Sequence, residues 1–393
     1  MTDAPHGDNT PPPLLGRAVR HEWPLDWGWL TVNHGSFGAT PRVVLAAQQE
    51  WRRQLEAQPT RFMHEVLPAG LTTAADRLGA LVGADGKDIA LLDNATGGCN
   101  AVLRSLRLVP DDEVLVLSHG YGAVRNTVRF VTERAGARMI EAVLPFPRPD
   151  ADAIVATIAA ALTPRTRVAV IDHITSGSAL VLPLAGIITA CHAAGVPILV
   201  DGAHGPGQVA LDLRALGADW YVGNCHKWLC APKGSAFLWA APGRQADLHP
   251  LTISHGFGQG FRAEFDWTGT RDSSACLAVP TALDFHDRLG GAALRARNVA
   301  LAAEATAMLA DRLGTEIGAT GGLAGAMGVV RVPTTAPATA EWAQRLRQKL
   351  LDARTDAPVH ALDGAIWLRI SAHAYNEMRD YEALADIVAS TVL

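Results

Sequence analysis

Lysine is nearly missing from this chain. Four of its 34 basic side chains are lysine, namely Lys87, Lys227, Lys233 and Lys349, and all the rest are arginine. Cysteine is sparse too: Cys99, Cys191, Cys225, Cys230 and Cys276 are odd in number and scattered over 393 residues. That pattern excludes a disulfide framework and reads as reduced thiols in a cytoplasm. An excess of positive charge is absent, and a net charge of −5 leaves no electrostatic footprint for nucleic acid. No apolar run approaches the ~20 residues that span a bilayer, so no membrane partner is expected. The opening "MTDAPHGDNTPPPLLG" is polar and proline-rich, without a signal-peptide pattern. Residues 1–18 read as a flexible tail.

What is present is a chain long enough for two domains, 49% hydrophobic and 19% charged, as compact proteins are. Three tryptophans in "HEWPLDWGWL" read as packing against the body of the protein, or as part of a pocket wall. From residue 42 onward, helical spacing alternates with short apolar runs. The runs at 88–93, 113–118, 138–145, 167–174, 196–203, 219–223 and 235–240 read as buried strands. Alanine-rich segments such as "DAIVATIAAAL" and "AGIITACHAAG" read as the helices between them. This rhythm predicts an α/β fold, a mainly parallel seven-stranded sheet flanked by helices. After residue 275 a long helical region, the run "MGVVRVP", a helix "TAEWAQRLRQKLLDA", the runs "APVHAL" and "AIWLRIS" and a closing helix predict a smaller α+β domain. The expected division is 19–275 for the large domain and 276–393 for the small one.

In such sheets ligands bind beyond the carboxyl ends of the strands. Asp201 stands there, after the apolar run of "VPILVDGAHGPG". It could bind a metal, hold a hydroxyl or pair with a cation. Thr96-Gly97-Gly98 could open a helix whose free N–H groups suit a phosphate. Lys227 follows the next strand, 26 residues after Asp201. A lysine at the exit of a buried strand packs poorly, and burial would lower its pKa and make it a usable nucleophile. Lys233 and Lys87 sit in turns, and Lys349 on the polar face of a helix. Cys225, His226 and Cys230 could ligate a metal, but a structural zinc site needs a second ligand pair, and none is found.

A phosphate-type helix start, an acid after one strand and a lysine after the next are what pyridoxal phosphate requires. The segments "VNHGSFGATP", "NAT" at 94–96, "SHGY" at 118–121, "VDGAHGPG", "HKWLCAPKG", "GTRD" at 269–272 and "LRIS" at 368–371 stand in one order over residues 30 to 375. In these segments the chain resembles the class V aminotransferase family of fold type I, in its isopenicillin N epimerase-like and cysteine-conjugate C–S lyase-like subgroup. The resemblance implies pyridoxal 5'-phosphate as cofactor, with Lys227 forming the Schiff base and moving protons at the substrate Cα. It implies Asp201 against the pyridine nitrogen, Tyr121 stacked on one cofactor face, and Ala203 or His204 near the other. Thr96 with the Gly97 amide, Asn224 and His226 would hold the phosphate, although Asn224 stands where the family is expected to have serine. Thr270 would reach a phosphate across a homodimer interface. Arg369 would grip the substrate carboxylate, with a structural salt bridge as its other reading. Asn33, His34 and Ser36 would lie near the substrate.

The resemblance leaves the reaction open among epimerisation, Cβ–S elimination, transamination and decarboxylation-coupled deamination of a modified amino acid in specialised metabolism. A catalytically silent binding protein is the alternative of another class. Desulfuration through an enzyme persulfide needs a cysteine in the last third of the chain, and no cysteine follows Cys276.

Overall fold

The computed structural model describes residues 15–392. Twelve strands are present: β1 (Leu30–Thr31), β2 (Ile89–Leu92), β3 (Glu113–Leu117), β4 (Arg138–Ala142), β5 (Thr166–Asp172), β6 (Ile198–Asp201), β7 (Trp220–Asn224), β8 (Ala236–Ala240), β9 (Met327–Arg331), β10 (Thr355–Asp356), β11 (Val359–Leu362) and β12 (Ala365–Ser371). Seven of them form one sheet in the order β2-β8-β7-β6-β5-β3-β4. Every pairing within it is parallel except those of β8, which runs against both β7 and β2. All seven predicted runs are strands, most of them shorter than their apolar stretch. β3, β6, β7 and β8 are buried at every position, which is why they read as unbroken apolar runs and not as alternating ones.

Three helices approach the edge where these strands end: α1 (His34–Phe37), α2 (Ala95–Ser105) and α3 (Gly122–Ala135). Asn94 starts α2 as a local side-chain cap, its oxygen accepting the Gly97 N–H at 2.8 Å. Gly136, left-handed at φ 70°, ends α3. Parallel strands that feed helices in this way place the strand ends and the helix starts on one edge of the sheet.

The smaller unit holds the antiparallel sheet β11-β12-β9 under the helices Ala292–Leu313, Ala340–Asp352 and Met378–Val392. Its core contains Leu309, Leu346, Ile370 and Leu384, and also Val32 from the N-terminal segment. β1 pairs with β10, and the Ser371 N–H donates to the Val32 carbonyl. Meanwhile Val279, Leu283 and Phe285 lie in the core of the large domain. The packing therefore does not divide at residue 275: residues near 30–32 join the small unit, and the helix Val279–Arg288 joins the large one. Composition could not show this, because both units are alanine- and leucine-rich.

The expected tail over 1–18 lies mostly outside the described residues. Its last residues are ordered, since Gly16 opens a short 3-10 helix and donates to the Ala374 carbonyl. Trp23 is fully buried and donates to the Ala39 carbonyl at 3.1 Å; Trp27 packs edge-on against Tyr375. Among the described residues no helix is long and apolar enough to cross a membrane.

Candidate active site

Strand ends and helix starts converge on one cavity. β5 and β6 deliver Asp172 and Asp201, which are opposite one another in the parallel register. β7 runs out through Asn224 to His226 and Lys227. α2 presents Asn94, Ala95 and Thr96, and the start of α3 presents Tyr121. Ser36 and Phe37 of α1 close one side, with Ser176, Ala203 and His204 on the remaining wall.

Lys227 is the one lysine on this wall. Its Nζ lies 3.1 Å from Nε2 of His204. Burial pushes its pKa down to about 8; the Asp201 carboxylate opposes that, and the Arg369 charge adds to it. Burial raises Asp201, against the Ala203 N–H at 3.0 Å and the charge of Lys227. Asp172 is driven up further by burial and by Asp201 itself, since two adjacent buried carboxylates cannot both ionise cheaply. Lys87, Lys233 and Lys349 are exposed.

The helix start is more selective than the sequence showed. The Gly97 N–H is spent on Asn94, and the Ala95 N–H donates to Asn224 Oδ1 at 2.9 Å. The Gly98 N–H donates to the Asn94 carbonyl. Of the first four amides, that of Thr96 is left for a ligand, and Thr96 lines the cavity while Gly97 does not. The Gly97 amide expected to face a phosphate is taken up within α2, and the unbonded amide at this helix start is that of Thr96. Asn224 fits here as a bridge: its oxygen ties β7 to α2 and its amide nitrogen remains available. His226 Nδ1 donates to the Ser235 carbonyl at 3.1 Å, which leaves Nε2 for the cavity. Burial lowers this ring to about 4.

Arg369 lies just behind the wall, 2% exposed. Nη1 donates to the Ser176 carbonyl at 2.6 Å, and Nη2 donates to Asn33 Oδ1 at 2.9 Å and Ser36 Oγ at 2.8 Å. Its Nε is buried without a partner. No carboxylate forms an ion pair with it among the described residues, so the salt-bridge reading has no support. Burial lowers the guanidinium to about 10. A buried, unneutralised cation is costly unless an anion arrives.

Asn33 and His34 are not on the cavity wall. Asn33 bridges Arg369 to Asp356, donating to Asp356 Oδ1 at 2.9 Å. His34 is 2% exposed, with Nε2 against the Lys227 carbonyl and Nδ1 against the Tyr375 hydroxyl, both at 2.9 Å. Its ring stacks on His373 at 3.7 Å. Both residues were expected beside the substrate; packing places them one layer out, and of the three only Ser36 reaches the cavity. Gly38 explains the tight fit. Its φ is +66°, and a Cβ there would stand 1.9 Å from the His226 carbonyl oxygen. Thr270 is exposed and away from this chain's own cavity.

The trio weighed as metal ligands and set aside, Cys225, His226 and Cys230, is not the group that the fold brings together. His34, Cys230 and His373 do lie within 4.8 Å of one another, but both nitrogens of His34 are already bonded. All five cysteines are buried, and none lines the cavity. Sequence reasoning missed Asp172, Asn94, Phe37 and Ser176. Asp172 was findable, since "VAVID" runs into an acid just as "PILVD" does.

The family described as "Aminotransferase class-V" matches residues 37–384. An isopenicillin N epimerase of Streptomyces clavuligerus is 36% identical over 381 residues, covering 92% of this chain and 94% of that protein. An L-cysteine desulfhydrase of Arabidopsis thaliana is 32% identical over 400 residues, covering 93% and 88%. Among solved structures, the cystine C–S lyase C-DES in complex with cysteine persulfide superposes with a TM-score of 0.81 at 24% identity, over 93% of this chain and 99% of that one. The donor set fits pyridoxal phosphate: a depressed amine at Lys227, an acid at Asp201, and Thr96, Asn224 and His226 grouped where a phosphate needs them. The chain belongs to the class V aminotransferase family, as an enzyme of the fold type I architecture that uses pyridoxal 5'-phosphate.

Proposed function

We propose that this enzyme removes the Cα proton of a small α-amino acid bearing sulfur at Cβ and expels the sulfur, a C–S β-elimination. When bound, the cofactor supplies an electrophilic carbon for the substrate amine and a ring that accepts charge from Cα. The observation that carries the reading is the Lys227 amine, lowered to about 8 by burial, with no thiol on the cavity wall. Lys227 takes the Cα proton. The electron pair left at Cα forms a Cα–Cβ double bond as the C–S pair departs with sulfur, and the Lys227 ammonium is the acid at hand to protonate the thiolate. Asp201 keeps a negative charge at the strand end for the pyridine nitrogen. Thr96, Asn224 and His226 hold the phosphate. Ser36 and Ser176, with the Arg369 charge behind them, receive the substrate carboxylate.

Epimerisation is the second reading. It needs a proton donor on each face of Cα, and Tyr121, 45% exposed on another wall of the cavity, is the group that could serve. Both fates share the first step. Holoenzyme incubated in deuterium oxide with L-cysteine or a cysteine S-conjugate separates them. Pyruvate and ammonia support elimination. Deuterium at Cα with loss of chirality supports epimerisation. Carbon dioxide with oxygen uptake, or an oxo-acid formed with a second amino acid, overturns both in favour of oxidative decarboxylation or transamination. No turnover and no covalent cofactor would mark a silent binding protein.

A homodimer completes the same reading. Thr270 is exposed, and Leu251, Ile253 and Phe257 stand 49%, 56% and 58% exposed on the loop that leads to it. A second copy covering that loop would bring Thr270 to the partner's phosphate. Sedimentation of a monomer with full cofactor affinity would refute the shared site.

A further inference from the structure

Trp228 follows the reactive lysine and is 1% exposed. Its ring stands near those of His34 and His373, with centroids 5.4 and 6.1 Å away. Its indole N–H points at Nδ1 of His204, 3.4 Å away. His204 is 3% exposed and sets its other nitrogen, Nε2, 3.1 Å from Lys227 Nζ. Together the two contacts link indole, imidazole and amine, and hydrogen-bond chemistry fixes where the protons sit.

An indole nitrogen only donates. Nδ1 of His204 must therefore accept, and carries no proton. The ring is neutral: burial, then the charges of Lys227, Arg369 and His226, hold its basicity well below the ordinary histidine value. A neutral imidazole has one N–H, so here it is on Nε2, facing Lys227. An N–H can bond only to a nitrogen with a lone pair, and an ammonium has none. The 3.1 Å contact is a hydrogen bond only when Lys227 is the free amine.

We propose that Trp228 is a positioning residue, which fixes His204 as the Nε2–H tautomer and through it favours the unprotonated form of Lys227. Trp228 does not line the cavity, and it works through the imidazole. The other charged groups that reach the amine are accounted for separately: Asp201 on β6 and Asp172 on β5 favour the ammonium, and Arg369 on β12 opposes it. His34 meets only the Lys227 carbonyl. Without the indole donor the imidazole is free to take its other tautomer, present a lone pair to Lys227, and stabilise the ammonium instead. One missing N–H thus reverses the sign of the His204 contact.

The inference rests on Lys227 being the amine that captures the cofactor aldehyde. The test uses the cofactor-free protein and follows covalent capture of added pyridoxal phosphate as a function of pH. Trp228→Phe keeps an aromatic ring and removes the donor. We expect the midpoint of its pH–rate curve to rise by about one unit, a tenfold loss of free amine at neutral pH. An unmoved midpoint overturns the proposal. If the variant does not fold, nitrogen-15 NMR of the wild-type apoprotein decides, with His204→Asn as the assignment control. A protonated Nε2 and bare Nδ1 support the proposal, and a protonated Nδ1 sinks it. Capture that persists in Lys227→Ala would instead remove the reading beneath it, so the two failures are distinguishable.

Discussion

Lys227 carries a quantitative expectation. An ordinary lysine side chain titrates at 10.5, and burial brings this one to about 8. The difference corresponds to about 3.4 kcal/mol and to roughly 300-fold more free amine at neutral pH. Three neighbours, Asp201, Arg369 and Asp172, set the value after burial, and two of them give predictions with a direction. Asp201→Asn removes the anion that favours the ammonium, so the midpoint should fall below about 8. Arg369→Met removes a cation that opposes it, so the midpoint should rise. The assay is stopped-flow formation of the near-visible absorbance of lysine-bound cofactor from apoenzyme, followed by borohydride reduction and peptide mass analysis to locate the modified lysine. A midpoint at the ordinary lysine value would refute the claim that burial activates this amine. Shifts of equal sign in the two variants would refute the electrostatic account while leaving the site assignment intact.

Two other outcomes rest on the same geometry. Arg369→Met should lower kcat/KM by about 10- to 100-fold, the worth of 1.5–3 kcal/mol for hydrogen bonds to a charged group, while the cofactor still binds; unchanged kcat/KM would show that the substrate carboxylate is held elsewhere. Acid should destabilise the fold through its buried neutral histidines. Burial depresses His34 to about 3 and His173 to about 4, below the 6.5 of the unfolded chain. The unfolded state then binds more protons, so stability is complete above 6.5 and is lost as pH falls toward the folded values. Two pH units below that unfolded value the loss should be about 2–3 kcal/mol for each histidine. Urea unfolding at that pH and at neutral pH measures it, and equal midpoints would show that these rings are already charged in the folded protein.

Much of the sheet was legible because its strands are buried on both faces and therefore uninterrupted by polar residues. Lys227 and Asp201 were legible because each breaks an apolar run at its exit. The Arg369 network was not. Ser176, Ser36 and Asn33 stand 193 or more residues from Arg369 along the chain, and no local pattern marks a side chain whose partner is so distant. Gly97 misleads for a different reason. In the sequence it reads as an open amide, while the residue three positions earlier, Asn94, takes that amide for its own cap. That Val32 enters the small core and Val279 the large one was not legible, because composition reports helix content and not which core a segment enters.

The segment from Leu30 to Thr40 gives these pieces a common origin. Leu30 and Thr31 pair with β10, and Val32 enters the small core, so the segment starts as part of the small unit. Within one helical turn it crosses to the lysine loop. His34 meets the Lys227 carbonyl, Gly38 abuts the His226 carbonyl, and Thr40 donates to the Ala231 carbonyl at 3.2 Å. The same turn holds Arg369 through Asn33 and Ser36. Arg369, proposed to receive the substrate carboxylate, and Lys227, proposed to work at its Cα, are thus both set by one short stretch of backbone. A four-residue helix cannot bend independently at its two ends. Displacing α1 must move both, and a substitution that loosens it should raise KM and lower kcat together, whereas loss of Arg369 alone leaves the amine in place.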